Sequence, residues 1–406
     1  MIKDKDIIIV GIQPWDIDIG SNCKNIALEF AKHNRVLYVN APLNWITRLK
    51  EKGNDKIKKR IEILKGKRID IELIENNLWN LYPKTTIHSI NWMNFYGMFK
   101  TFNKNNARKF ANDIKDAADR LNFKDYLLFN DSSMFLGLHL KEYLKPEVYA
   151  YYVRDNLVKD PYWRKHGAIM EPKVIEVADV VVNNSEYYTA YSSKFNEKSF
   201  MVGQGCDVTM FNDERGDIRE ADELKFIVGP IIGYVGTLTT LRLDIELLAY
   251  IAKQKKDWNI VLVGPEDETF KESILHTIDN IKFLGNKPMD SLPTYIKGFD
   301  VCINPQVLNE ITIGNYPRKI DEYLAMGKPI VATYTKAMKM FEAYVYLGKT
   351  KEDYIKLIEN ALKEDLEEII KKRIEFANSH TWPNSVKNIY KAIELALNDQ
   401  KNQMIL

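Results

Sequence analysis

Apolar residues fall into two recurring patterns along this chain. Some form short continuous runs, and others recur every three or four positions. In the second half "IIGYVG" (231–236), "NIVLVG" (259–264), "IKFLG" (281–285), "VCINP" (301–305) and "PIVAT" (329–333) are unbroken runs. Such runs mark strands buried on both faces. Between them "LRLDIELLAYIAKQ" (241–254), "ETFKESILHTI" (268–278) and "SLPTYIKGF" (291–299) carry helical spacing. Strands that alternate with helices build βαβ units and a parallel sheet. The first half repeats the pattern less regularly, with "IIIVGI" (7–12), "RVLYVN" (35–40), "YLLFN" (126–130), "EVYAYYV" (147–153) and "ADVVVNNS" (178–185) as strands and "NCKNIALEFAKH" as a helix. Residues 43 to about 124 interrupt it, and 207–230 read as a charged connector.

The expected architecture is therefore α/β, with two Rossmann-like, doubly wound domains, 1–206 and 207–382. The amphipathic segment "PNSVKNIYKAIELALND" should make a terminal helix, 383–406, that packs back on the first domain. Doubly wound sheets bind ligands at the carboxyl ends of their strands. Two such domains facing each other would enclose a deep cleft.

"NYPRKIDEYLAMGKPIVAT" (315–333) is the most informative stretch. Pro317 suits a first helical position. Gly327 suits the left-handed residue that ends a helix, with Pro329 close behind. Arg318 and Lys319 nevertheless stand at the positive end of the helix dipole, where cations are misplaced by roughly 0.3–1 kcal/mol each. An anionic ligand removes the conflict, and a diphosphate suits the site. Glu322, one turn on, can accept hydrogen bonds from a ribose diol or simply pair with Arg318. "GYVGT" (233–237) ends a strand in Gly236 and Thr237, which lets backbone approach a phosphate. Asp155, in "YYVRDNLVKDPYW" (151–163), follows a strand of the first half. It can take a proton from a sugar hydroxyl, or be held structurally by Arg154.

Composition adds little until it is read locally. The 406 residues carry a net charge of +2, which gives no whole-chain argument for nucleic acid. Three scattered cysteines argue against a disulfide framework or a cysteine zinc site and suit a reducing cytosol. No two histidines lie at i, i+3 or i+4, which leaves a histidine metal site unsupported. "MIKDKDIIIVGI" reads as a first strand rather than a signal peptide, and no apolar run of about 18 residues exists to span a membrane. Asp16 and Asp18 have the spacing of a metal-binding pair, but the following Gly20 suits a loop facing an acceptor, and no metal or cofactor is expected. Residues 45–68 hold ten Lys/Arg against three Asp/Glu, and 90–110 mix aromatics with cations. That pairing suits contact with an anionic bilayer through Lys58, Lys59, Arg60, Trp92, Phe95 and Phe99. A solvated basic face is the plainer alternative.

Taken together, "GYVGT", "NIVLVGP", "IKFLGNKPMDSLPTYIKGFDVCINP", the 315–333 stretch and "VGQGCDVTMF" (202–211) resemble the GT-B glycosyltransferases of bacterial cell-surface polysaccharide assembly. The nearest likeness is to the teichuronic acid type and the glucuronosyltransferase-like members. In the last segment Gln204 stands where the family has asparagine. The resemblance implies a second domain that binds a nucleoside-diphosphate sugar and a first domain that binds a saccharide acceptor, lipid-linked at the inner membrane face. It implies that Gly236 and Thr237 lie by the diphosphate, Lys319 neutralises it, Glu322 holds the ribose, Asn315 and Tyr316 line the pocket, and Asp155 is the base. The chain departs from the pattern twice. Gly314 stands where many retaining members have glutamate, and Thr237 where many have arginine, leaving Arg242 as the nearest arginine. The expected activity is metal-independent sugar transfer in a cytoplasmic, peripherally membrane-bound protein. The alternatives are a sugar-nucleotide epimerase of the same architecture and a scaffold that has lost catalysis.

Overall fold

The buried apolar runs become the strands of two parallel sheets in a computed structural model, which describes residues 1–406 except 18–20, 51–52, 214, 311, 365–366 and 406. The chain divides into two units, Met1–Gly203 with Trp382–Leu406, and Gln204–Thr381. The crossovers thus fall at 203/204 and 381/382, three residues and one residue before the boundaries read from the sequence.

The first unit is built on β1 (Asp6–Gly11), β2 (Arg35–Val39), β3 (Ile71–Glu75), β4 (Leu78–Leu81), β5 (Leu127–Asp131), β6 (Val148–Val153), β7 (Val180–Asn183) and β8 (Ser199–Met201). Their order across the sheet is β8-β7-β6-β5-β1-β2-β4-β3, parallel except for β3 against β4. Because β1 lies between β5 and β2, the chain reverses direction across the sheet at β1/β5, and such a switch point is where a doubly wound sheet opens to a ligand. One face packs on α1 (Asn22–Ala31). After α2 (Asp55–Leu64), which lies outside both cores, the other face packs on α3 (Tyr96–Arg120) towards one edge and on α4 (Met134–Leu144), α5 (Pro161–Val177) and α6 (Glu186–Ser192) towards the other. Alternate residues of β1 feed the two cores: Ile7 and Ile9 join one, Ile8 and Val10 the other.

The second unit carries β9 (Ile231–Val235), β10 (Asn259–Val263), β11 (Ile281–Gly285), β12 (Val301–Asn304), β13 (Ile330–Thr333) and β14 (Tyr346–Gly348), in the order β11-β10-β9-β12-β13-β14 and all parallel. Its switch point is β9/β12. The helix α7 (Ile245–Gln254) follows β9, and α8 (Lys319–Ala325) precedes β13. The segment 268–278 forms only one turn of α-helix and a 3₁₀ turn. The last helix, α9 (Trp382–Ile405), returns to the first unit. There Tyr390 stacks on Phe30 at 5.2 Å between ring centres and accepts a 2.9 Å hydrogen bond from Asn34 Nδ2.

Candidate active site

In the second unit the site begins with backbone that only glycine tolerates. Gly236 follows β9 with φ +141°, and Gly264 follows β10 with φ +150°. A Cβ on Gly264 would stand 2.0 Å from the Gly236 carbonyl oxygen. The two strand ends are pressed together at this point, so Gly264 fixes the turn that Gly236 makes. The sequence reading did not single out Gly264, although "NIVLVG" ends on it. A Cβ on Gly236 would stand 2.8 Å from Lys319 Nζ. Lys319 therefore lies against the bare turn, where it donates a hydrogen bond to the Tyr234 hydroxyl.

The helix behind Lys319 is stopped as its sequence requires. Gly327 has φ +68°, its N–H donates to Leu324 O at 2.8 Å, and Lys328 N–H donates to Tyr323 O at 3.0 Å. These are the two bonds of a Schellman end. At the other end the helix starts later than Pro317 suggests. Arg318 is the N-cap, and the Pro317 carbonyl accepts the Ile320 N–H at 2.9 Å.

Charge is unbalanced here. Among the described residues neither Arg318 nor Lys319 has a carboxylate partner, and the Arg318–Glu322 ion pair that would explain them structurally does not form. Glu322 is half-buried, with no hydrogen bond to its carboxylate from the described residues. Burial pushes its carboxyl up, against the pull of Arg318 and Lys319. Asp321, by contrast, is fully buried and fully used: Tyr316 donates to it at 2.8 Å and His380 Nδ1 lies 2.9 Å away. Tyr316 is thereby a correction. Its ring is 4% exposed within the core instead of lining a pocket, because Asp321 anchors its hydroxyl. Asn315 is half-buried, while Thr237 and Arg242 are exposed on the strand-to-helix connection after β9.

The first unit has its own cluster at the ends of β1, β5 and β6. Arg154, directly after β6, is buried and faces the fully buried Asp131 through Nε at 2.8 Å and Nη2 at 3.3 Å. Its Nη2 also donates to Gln13 Oε1 at 3.2 Å, and Nη1 donates to Asp155 Oδ2 at 2.7 Å. Burial disfavours this guanidinium, but Asp131 and Asp155 outweigh it and hold it charged well above its usual range. The turn after Asp131 is kept by Ser132, at φ +60°, whose hydroxyl donates to Tyr152 O at 2.9 Å. Asp155 is thus salt-bridged by Arg154 through one oxygen. Its side chain stays 41% exposed, and Oδ1 accepts no hydrogen bond from the described residues. Sequence reasoning named Asp155 and Arg154 but missed Asp131 and Gln13.

Several surface expectations are corrected. Arg60 turns inward to pair with Asp16 at 3.0 Å, so Asp16 secures the loop after β1 and Arg60 is no outward cation. Asp18 and Gly20 lie outside the described residues. Lys59 pairs with Glu72 at 2.8 Å, while Lys58 is exposed. Phe99 is 0% exposed and stacks on His166, because α3 buries the stripe Phe99, Asn103, Asn106 and Phe110. Trp92, Phe95 and Met98 stand outside that stripe and are exposed. No group of three His, Cys, Asp or Glu that could hold a metal ion occurs among the described residues, and none of their helices is long and apolar enough to cross a membrane.

Residues 229–364 match the family model "Glycosyl transferases group 1". TuaH of Bacillus subtilis (strain 168), named for a glycosyltransferase of teichuronic acid biosynthesis, is 28% identical over 251 residues, 59% of this chain and 62% of its own. The chain thus spans about 62% of the length of that curated relative. Among solved structures, sucrose-phosphate synthase from Thermosynechococcus elongatus aligns with a TM-score of 0.67 at 14% identity, over 97% of this chain and 100% of its own. Anabaena HepE in complex with UDP and glucose aligns with a TM-score of 0.64 at 14% identity, over 96% and 99%. Trehalose 6-phosphate synthase from Burkholderia multivorans aligns with a TM-score of 0.67 at 9% identity, over 99% and 98%. The fold is that of the GT-B glycosyltransferases.

Proposed function

We propose that this chain, which has the GT-B fold and carries a group 1 glycosyl transferase segment at 229–364, transfers a sugar from a nucleoside-diphosphate donor to a saccharide acceptor. The observation that carries the reading is the pair of cations, Arg318 and Lys319, beside the bare turn at Gly236, with no carboxylate partner among the described residues. Breaking the anomeric bond leaves negative charge on the departing diphosphate. Fixed cations and backbone N–H groups stabilise that charge most where water is excluded. In this scheme they do so without a metal, Glu322 accepts from the ribose diol, and the free Oδ1 of Asp155 takes the acceptor's proton. UDP in HepE supports a uridine nucleotide as the first probe. The likeness to TuaH, named for teichuronic acid biosynthesis, supports a role in cell-surface polysaccharide synthesis, and in this scheme the acceptor is lipid-linked. Trp92, Phe95 and Met98, with Lys100 nearby, support peripheral contact with the inner membrane face.

The test is to incubate the protein with a panel of UDP-sugars, with and without saccharide acceptors. Release of UDP that depends on acceptor supports transfer. Conversion of the sugar without acceptor would make it an epimerase, and no conversion of any donor would leave a scaffold.

A further inference from the structure

Resting on Asp155 as the general base, we infer that Asp131 and Arg154 are positioning residues that set its proton affinity. The three side chains form a row, carboxylate–guanidinium–carboxylate. A guanidinium is planar and rigid. Once Asp131 fixes Nε and Nη2, at 2.8 and 3.3 Å, the place of Nη1 is fixed as well. Asp155 Oδ2, 2.7 Å from Nη1, is fixed in turn, and Oδ1 is left without a hydrogen bond from the described residues. Gln13 Oε1 on Nη2 and Asn184 Nδ2 on the Arg154 carbonyl, at 3.1 Å, close the remaining freedom.

Orientation alone would need only the arginine. An unshared cation this close, however, would favour the ionised carboxylate and make a weak base. Asp131 supplies the opposing charge. With it the row carries one net negative charge, so Asp155 is held in place by a cation that it shares with a second carboxylate. Among the described residues, other titratable groups act on the row: Cys23 on α1, Tyr38 on β2, Tyr152 on β6 and Tyr188 on α6. Burial pushes all four up, so they stay neutral across the working range. Glu171 on α5, which faces Tyr188, is raised by burial to about 7 and titrates on its own account.

The experiment is a pH titration by carbon-13 NMR of the full chain with its aspartate carboxyl carbons labelled, in which the Asp155 signal is the one lost in Asp155→Asn. In Asp131→Asn the Asp155 midpoint should fall by about one pH unit or more, because Arg154 then faces it alone. In Arg154→Met it should rise. Arg154→Met leaves Asp131 buried without a partner and is the variant most exposed to misfolding. The double variant Asp131→Asn/Arg154→Met buries neither charge, and its midpoint should lie above that of Asp131→Asn. Equal midpoints in the wild type, Asp131→Asn and the double variant would overturn the inference. None of this needs turnover, so it is separable from the base role, which fails if Asp155→Asn transfers sugar at the wild-type rate.

Discussion

Each unit gathers charged side chains at the switch point of its sheet, and the two solve the charge problem in opposite ways. In the first unit Asp131, Arg154 and Asp155 satisfy one another, and the guanidinium is buried with its counter-charges. In the second, Arg318 and Lys319 form no ion pair among the described residues, although Glu322 is one turn away. A cluster that holds its own counter-charges and keeps one negative charge over suits proton removal from an uncharged hydroxyl. An unbalanced one suits a ligand that brings two negative charges with it. Building both in one chain divides the work of transfer between proton removal and anion stabilisation.

The comparison can be broken most severely at Asp155. Asp155→Asn should lower turnover by about 10²–10⁴-fold, the span of general base catalysis, and leave UDP affinity unchanged by calorimetry. Next in size is the interior of the first unit. Burial raises the Glu171 carboxyl to about 7, well above its unfolded range. Between those limits the folded state keeps a proton the unfolded chain has lost, so stability should decline as pH rises from about 4.5 to 7 and level off above. Glu171→Gln should remove that slope, worth at most about 3.5 kcal/mol at about 1.4 kcal/mol per pH unit, as read from urea unfolding at pH 5 and pH 8. An unaltered slope would show that Glu171 titrates normally.

On the other side, Lys319→Ala should weaken UDP binding by roughly 1.5–3 kcal/mol, the scale of a hydrogen bond to a charged group. Unchanged affinity would return the cation to a purely structural place against Tyr234. Glu322→Ala should cost UDP about 1–2 kcal/mol and cost a 2′,3′-dideoxy nucleotide nothing. An equal loss for both nucleotides would remove the ribose from the argument. The smallest effect belongs to the surface: Trp92→Ser with Phe95→Ser should reduce pelleting with anionic vesicles and spare UDP affinity. Adding salt should do likewise, since the Debye length is about 8 Å at physiological ionic strength.

The architecture was legible because parallel strands buried on both faces leave continuous apolar runs, and "IIGYVG" or "NIVLVG" can be little else. The second site was half legible for a related reason. Arg318, Lys319 and Glu322 lie within five residues, close enough for helix geometry to relate them. The first cluster could not be read in the same way. Arg154 meets Asp131 across 23 positions and Gln13 across 141, and only the sheet order joins them. Arg60 and Asp16, 44 positions apart, were misread for the same reason. Phe99 was different, since the signal was present. Phe99, Asn103, Asn106 and Phe110 follow helical spacing, and Phe95, one turn earlier, is exposed because it is the extended N-cap before the helix begins at Tyr96.

The return of α9 to the first unit has a consequence for how the molecule is made. Trp382, Val386, Ile389, Tyr390 and Ile393 belong to the same core as Ile7, Ile9 and Phe30, yet they leave the ribosome after the whole of Gln204–Thr381. The second unit is synthesised whole before that helix. The first, although begun earlier, must wait with an open seam along α1 until its last helix is delivered.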